Sequence, residues 1–168
     1  MTTVKEKSYP VTEQDRRFME MAAEIAEENI DRGGGPFGAV IVDRDGRIVA
    51  TGANSVTLAN DPTAHAEVNA IRDACSSLAT FSLAGCTVYS SCEPCPMCLS
   101  ALYWAGVSRI FFGNTKEDAA AINFSDDFIY KELEKPRGQR SLPCIRLENE
   151  ATIRAFDKWA AKTDKIAY

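Results

Sequence analysis

The chain has 168 residues, 45% of them apolar and 26% charged, a mixture that excludes collagen-like, disordered and coiled-coil architectures. A single domain of this length buries about two-thirds of its unfolded surface and needs no disulfide staples. Its 19 basic and 24 acidic residues leave a net charge of −5, which disfavours an affinity built on neutralising phosphate, although a local basic patch can sit on an acidic domain. No apolar run approaches the ~18 residues of a membrane span. The stretch from Met1 to Pro10 lacks an apolar signal core, so no secretion is expected. Six cysteines are too few for a disulfide scaffold and fit a reduced, cytoplasmic compartment, where thiols are core fillers, metal ligands or nucleophiles.

Residues 1–11 carry no periodicity and read as a loose arm. Thr12-Glu-Gln-Asp15 is a capping box with Asp at its fourth place. Phe18, Met21, Ala22, Ile25, Ala26 and Ile30 then recur at helical spacing, and Gly33-Gly-Gly-Pro36 stops that helix. Phe37–Val42, the turn Asp43-Arg-Asp-Gly46 and Arg47–Thr51 form a β-hairpin. Asn60-Asp-Pro-Thr63 turns into a second helix whose apolar face carries Val68, Ile71, Ala74, Cys75 and Leu78. Cys86–Tyr89 reads as a strand, Pro94 opens a third helix running to about Trp104, and Ser108–Phe112 is another strand. Ala119–Ile122 and Phe128–Leu133 read as short helices and Pro143–Leu147 as a fifth strand. Ala151–Lys162 closes the chain as a helix with Ile153, Phe156 and Trp159 on one face. Alternating helices and strands favour crossovers, hence an α/β fold with a mixed five-stranded sheet and helices on both faces. No repeat or linker interrupts residues 1–168, which read as one domain.

Two segments carry chemistry: Pro62-Thr-Ala-His65-Ala-Glu67 and Ser91-Cys92-Glu-Pro94-Cys95-Pro-Met-Cys98. A Cys-x-x-Cys pair in the first turn of a helix lets two sulfurs converge on one ion, and the helix N-terminus favours thiolates. Thiolates with an imidazole select zinc, and His65 is the only histidine. On a regular helix, positions i and i+2 point to nearly opposite faces. His65 and Glu67 can therefore share a site only if it lies off the helix end. The expectation is two helix N-termini aimed at one zinc, one bringing His65 and Glu67, the other Cys95 and Cys98. Three protein ligands leave a fourth position for water, the arrangement of catalytic zinc, and Glu67 is placed as a proton shuttle. Two other pairings stay open: Cys92 with Cys95 as a redox pair, or a closed Cys₃His knot. Cys75 and Cys86 read as core, and Cys144 as core or strand.

His-x-Glu followed by Pro-Cys-x-x-Cys is the compound signature of zinc deaminases. Over nearly its whole length the chain resembles the cytidine deaminase-like superfamily. Within that superfamily it is most similar to small, zinc-type bacterial guanine deaminases. The matching stretches are Gly34–Val42, Asn60–Glu67, Ser91–Cys98, Tyr103-Trp-Ala105, Asp127–Glu132 and Tyr168. The resemblance implies a three-layer α/β/α fold with a five-stranded sheet, zinc held by His65, Cys95 and Cys98, and Glu67 as general acid/base. It implies Asn54 as the base-anchoring amide, Phe37 as an aromatic flanking the ring, Ala66 and Trp104 as further substrate-binding residues, and Asp126, with Asp127 as the alternative register, as a second proton carrier. It also implies a homodimer whose C-terminal tail, about 150–168, crosses to the partner and brings Tyr168 over the site. The implied reaction converts guanine to xanthine and ammonia.

Three rival readings stand beside this one. The first is a tRNA adenosine deaminase, which would need a basic groove and a base-flipping pocket. The second is a deaminase of guanosine, ammeline or a cytosine-type base. The third is a non-catalytic module stabilised by structural zinc, which would have no use for Glu67.

Overall fold

A computed structural model of the chain describes residues 9–167. Most of the expected N-terminal arm and Tyr168 lie outside the described residues. The chain divides into two compact units, Met1–Ser125 and Asp126–Tyr168.

In the first unit, α1 (Glu13–Asp31) opens with the expected capping box: Thr12 Oγ1 accepts the Asp15 N–H at 3.2 Å and Asp15 Oδ2 accepts the Thr12 N–H at 2.7 Å. The hairpin strands are β1 (Gly38–Val42) and β2 (Ile48–Ala53). A single turn, α2 (Val56–Ala59), precedes α3 (Ala66–Leu78). It was not anticipated, because four residues are too few to show a helical period. There follow β3 (Thr87–Cys92), α4 (Pro96–Ala105), β4 (Arg109–Asn114) and α5 (Lys116–Ala121). The third helix thus begins two residues later than expected, with Pro96 rather than Pro94 at its first turn.

The sheet order is β2-β1-β3-β4, antiparallel across the first two pairings and parallel between β3 and β4. The parallel pair is bridged by α4, the crossover such a pair requires. β1 and β3 are buried along their whole length, because helices cover both sheet faces. Ala39, Ile41 and Val88 pack with Ala66, Ala70 and Leu102 of α3 and α4. Val40, Val42 and Tyr89 pack with Phe18 and Ala22 of α1. Two glycines admit the helices so closely. A Cβ at Gly52 would lie 2.1 Å from the Ala66 carbonyl oxygen, and one at Gly38 2.3 Å from that of Ala22.

The second unit holds α6 (Asp127–Glu134), a 3-10 turn at Arg137–Gln139, and α7 (Glu150–Ala161). The fifth strand expected at Pro143–Leu147 is absent, so the sheet has four strands among the described residues. A strand exists through a paired neighbour, whereas an alternating apolar pattern alone supplies none. Leu142, Ile145 and Leu147 are 78%, 87% and 85% exposed, and Cys144 is exposed rather than core. Cys86 is buried in the core and Cys75 packs against it half-buried, as expected. Among the described residues no helix is long and apolar enough to cross a membrane.

Candidate active site

His65 and Cys95 occupy the same local position on different helices. Each is an N-cap in extended conformation, His65 at φ −72, ψ 157 before α3 and Cys95 at φ −62, ψ 167 before α4. Neither side chain caps its own helix, so imidazole and thiol are free to turn outward. Asn69 fixes the start of α3 by donating from Nδ2 to the Ala53 carbonyl at 2.8 Å and to Ser55 Oγ at 3.0 Å. Pro96 presets the first turn of α4, and Cys98 follows one turn after Cys95.

His65 Nδ1 lies 3.5 Å from Cys95 Sγ and 3.4 Å from Cys98 Sγ. All three donor atoms fall within 4.8 Å of one another. A tetrahedral zinc with ordinary Zn–N and Zn–S bonds holds nitrogen and sulfur about 3.6 Å apart. The two nitrogen–sulfur spacings therefore suit zinc, and the donor chemistry suits it as well. Cys92 does not join the cluster. It ends β3 buried, and its Sγ donates to the Thr115 carbonyl at 3.6 Å. That placement disfavours both the four-donor knot and the Cys92–Cys95 pairing.

The electrostatics suit a cation. A hydrogen bond from Cys98 is the main influence on Cys95; burial opposes it and His65 assists it, and the Cys95 thiol is held down at about 4. The same hydrogen bond, together with burial, pushes Cys98 up. The two sulfurs thus share one proton, which must leave when both ligate a cation. His65 is raised, chiefly by its contact with Cys95.

Glu67, the second residue of α3, is only 6% exposed. Burial drives its pKa upward, while hydrogen bonds involving its own backbone, Cys98 and Ser90 pull the other way. The Ser90 hydroxyl donates to Oε1 at 3.0 Å. The fold thus brings Glu67 beside the sulfur of a cluster member.

Asn54 and Phe37 form a second grouping. Asn54 directly follows β2 and is buried; its N–H donates to the Phe37 carbonyl at 3.1 Å and its Oδ1 accepts from Val56 at 3.3 Å. Asn29 of α1 locks this corner, donating from Nδ2 to the Gly35 carbonyl at 2.8 Å and to that of Asn54 at 2.7 Å. Phe37 packs on the α3–α4 core and meets Phe124 edge-on, with centroids 5.0 Å apart at 89°. Ala66 is fully buried at the start of α3. Trp104 is 73% exposed on α4. Asp126 belongs to the second unit, where it occupies the N-cap position of α6 without a capping hydrogen bond from its side chain.

Ser90, Asn29 and Phe124 were not singled out from sequence. The first two left a faint signal. Asn29 continues the apolar stripe of Ala22 and Ala26, and Ser90 falls two residues after inward-facing Val88, so each is a polar side chain at a core position. Phe124 left none.

A helix-on-sheet fold presenting one imidazole and two thiols from paired helix starts, with a buried carboxylate alongside, defines a zinc-dependent hydrolytic deaminase. Residues 12–114 match the family model of the cytidine and deoxycytidylate deaminase zinc-binding region, and the chain belongs to that family. It is 47% identical to the guanine deaminase of Bacillus subtilis over 152 residues, 90% of this chain and 97% of that protein. The crystal structure of that enzyme superposes with a TM-score of 0.88 over 91% of this chain and 98% of its own. The guanine deaminase of Nitrosomonas europaea superposes with a TM-score of 0.64 at 30% identity, covering 73% of this chain and 69% of that one. The tRNA-specific adenosine deaminase of Haemophilus influenzae is 35% identical over 121 residues, 70% of each chain.

Proposed function

We propose that this chain is a zinc-dependent guanine deaminase, converting guanine and water to xanthine and ammonia. The observation that carries the reading is the convergence of His65, Cys95 and Cys98 beside buried Glu67, in a chain alike to the Bacillus subtilis enzyme over 97% of that enzyme's length.

His65 Nδ1 and the two sulfurs would hold the zinc. When bound, the ion supplies Lewis acidity that brings the ionisation of water towards neutral pH. Glu67 takes a proton from water and delivers it to a ring nitrogen of the base. Its burial suits this task, because a carboxyl raised towards the working pH both accepts and returns protons. Asn54 presents an amide that donates to and accepts from a purine edge, Phe37 packs on the ring, and Ala66 and Trp104 complete the contacts. Asp126 serves as the second proton carrier, for the departing amine.

The chain acts as a homodimer in the cytoplasm, a single deaminase domain over 1–168 whose tail, about 150–168, crosses to a second copy and places Tyr168 over the partner's site. Two observations support a partner. Ile145, Leu147 and Phe156 are widely exposed, and β4 is an edge strand among the described residues, the kind of edge that accepts a further strand. Six cysteines are too few for a disulfide scaffold, which suits a reducing compartment. Sedimentation analysis tests the dimer. Removing the last three residues tests Tyr168, and unchanged kinetics would retire it.

The experiment that tests the substrate is an ammonia-release panel of guanine, guanosine, ammeline, adenine, cytosine and a tRNA anticodon stem-loop. Guanine is expected to react fastest. If it is inert while another compound turns over, the substrate assignment fails and the deaminase mechanism stands. The likeness to a tRNA adenosine deaminase favours that second reading, whereas the net charge of −5 opposes it.

A further inference from the structure

We infer that Ser90 is a positioning residue that sets the orientation of the Glu67 carboxylate; the inference rests on the reading of Glu67 as the proton carrier. Ser90 lies in β3, paired in register with Ala39 of β1 and Phe112 of β4. Its neighbours along that face of the sheet, Ala39, Ile41 and Val88, are apolar and buried against α3 and α4. A hydroxyl among them is costly unless it is hydrogen-bonded, and at 2% exposure it has no recourse to solvent. It donates to Glu67 Oε1 at 3.0 Å, between two buried side chains.

The two partners differ in freedom. Ser90 has one side-chain torsion and is held by strands on both sides, whereas Glu67 carries three torsions on the first turn of a helix. Fixing one carboxylate oxygen to the rigid strand removes most of that freedom before substrate arrives, leaving Oε2 directed for proton transfer. Cys98 also reaches Glu67, but a sulfur that ligates a cation as thiolate donates no hydrogen bond. The Ser90 hydroxyl, which ligates nothing, keeps its hydrogen bond to the carboxylate whether or not a cation is held.

The test compares Ser90→Ala, Ser90→Thr, Ser90→Val, Glu67→Gln and the Ser90→Ala/Glu67→Gln double variant. Guanine kinetics, zinc content and melting temperature are measured for each. Ser90→Ala is expected to keep its zinc and lose about tenfold or more in kcat with KM within about twofold, the pattern of a misplaced reacting group. Threonine keeps the hydroxyl and should recover at least half of the lost rate. Threonine and valine are near-isosteric, so their ratio isolates the hydroxyl should the alanine variant fail to fold. In the Glu67→Gln background the alanine change should cost nothing further, because its effect runs through the carboxylate. An undiminished kcat in Ser90→Ala, equal rates for threonine and valine, or the same fall in both backgrounds would overturn the inference while leaving Glu67 in place. Near-normal turnover by Glu67→Gln would instead sink the underlying reading, and Ser90 with it.

Discussion

His65 and Cys95, thirty residues apart in sequence, are the N-caps of two neighbouring helices, with Nδ1 and Sγ 3.5 Å apart. A cap residue is extended and lies outside helical register, so its side chain points along the helix axis beyond the first turn. Two such caps facing one another make a donor pair directly over two positive helix ends. The third donor, Cys98, needs only one further turn of α4.

Metal loss should therefore be sensitive to any one donor. Cys98→Ser is expected to purify with substoichiometric zinc by elemental analysis and with little activity. Zinc affinity should also climb with pH. Cys95 is already a thiolate at neutral pH, with its pKa near 4, but His65 and Cys98 are both raised, so binding must displace their protons. Chelator competition between pH 6 and 8 should show affinity rising by about one to two decades per pH unit, one for each proton released.

Glu67→Gln preserves shape and can still accept the Ser90 hydrogen bond. Zinc content and fold should persist while kcat falls by roughly 10²–10⁴-fold, the loss expected when a general acid–base is removed. A coupled ammonia assay reads the rate, and circular dichroism checks the fold.

Gly52→Ala places a methyl group against the backbone of α3, 2.1 Å from the Ala66 oxygen and 2.7 Å from the Ala70 nitrogen. Neither atom is the end of a flexible side chain, so the helix itself must move. Overpacking of this kind costs about 1–3 kcal/mol or more, read as a lowered midpoint in urea. Because α3 carries His65 and Glu67, activity should drop beyond the fraction unfolded.

Asp15 joins the α1 cap to the sheet, accepting from Thr12 and from the Tyr89 hydroxyl at 2.5 Å. Burial pushes its carboxyl up, but the hydrogen bonds from Thr12 and Tyr89 outweigh that and leave it below the ordinary aspartate value. Its stabilising share is therefore present above the unfolded pKa, near 4, and disappears as pH falls through the lower folded value. Asp15→Asn should be less stable at pH 7, and the deficit against the parent should shrink on acidification from about pH 4 towards pH 2. Thermal melts across that range decide it. Thr12→Ala should lose about 1 kcal/mol as a missing cap.

Much of the fold was legible because its elements announce themselves locally. The stripe from Phe18 to Ile30 carries a helical period, Asp43–Gly46 carries turn chemistry, and Thr12–Asp15 carries a cap. The expected strand at Pro143–Leu147 shows where this ends. Its composition suits a strand, but pairing depends on a neighbour that its own sequence does not encode, and the segment is irregular. The one-turn α2 was invisible for the opposite reason, being too short to show a period.

For the site, residue chemistry and spacing pointed to zinc and to a short set of candidate donors, with Cys92 still among them: one histidine, a run of Cys-x-x-Cys pairs and a carboxylate two places from the imidazole. Those are statements about valence, charge and helical phase, which short segments carry in themselves. Tertiary structure alone turned Cys92 away to Thr115, set Ser90 against Glu67 and tied Asn29 to the Asn54 corner. Each of these joins residues from separate elements, 23 to 25 positions apart, and such contacts come into being only when the sheet and its helices pack.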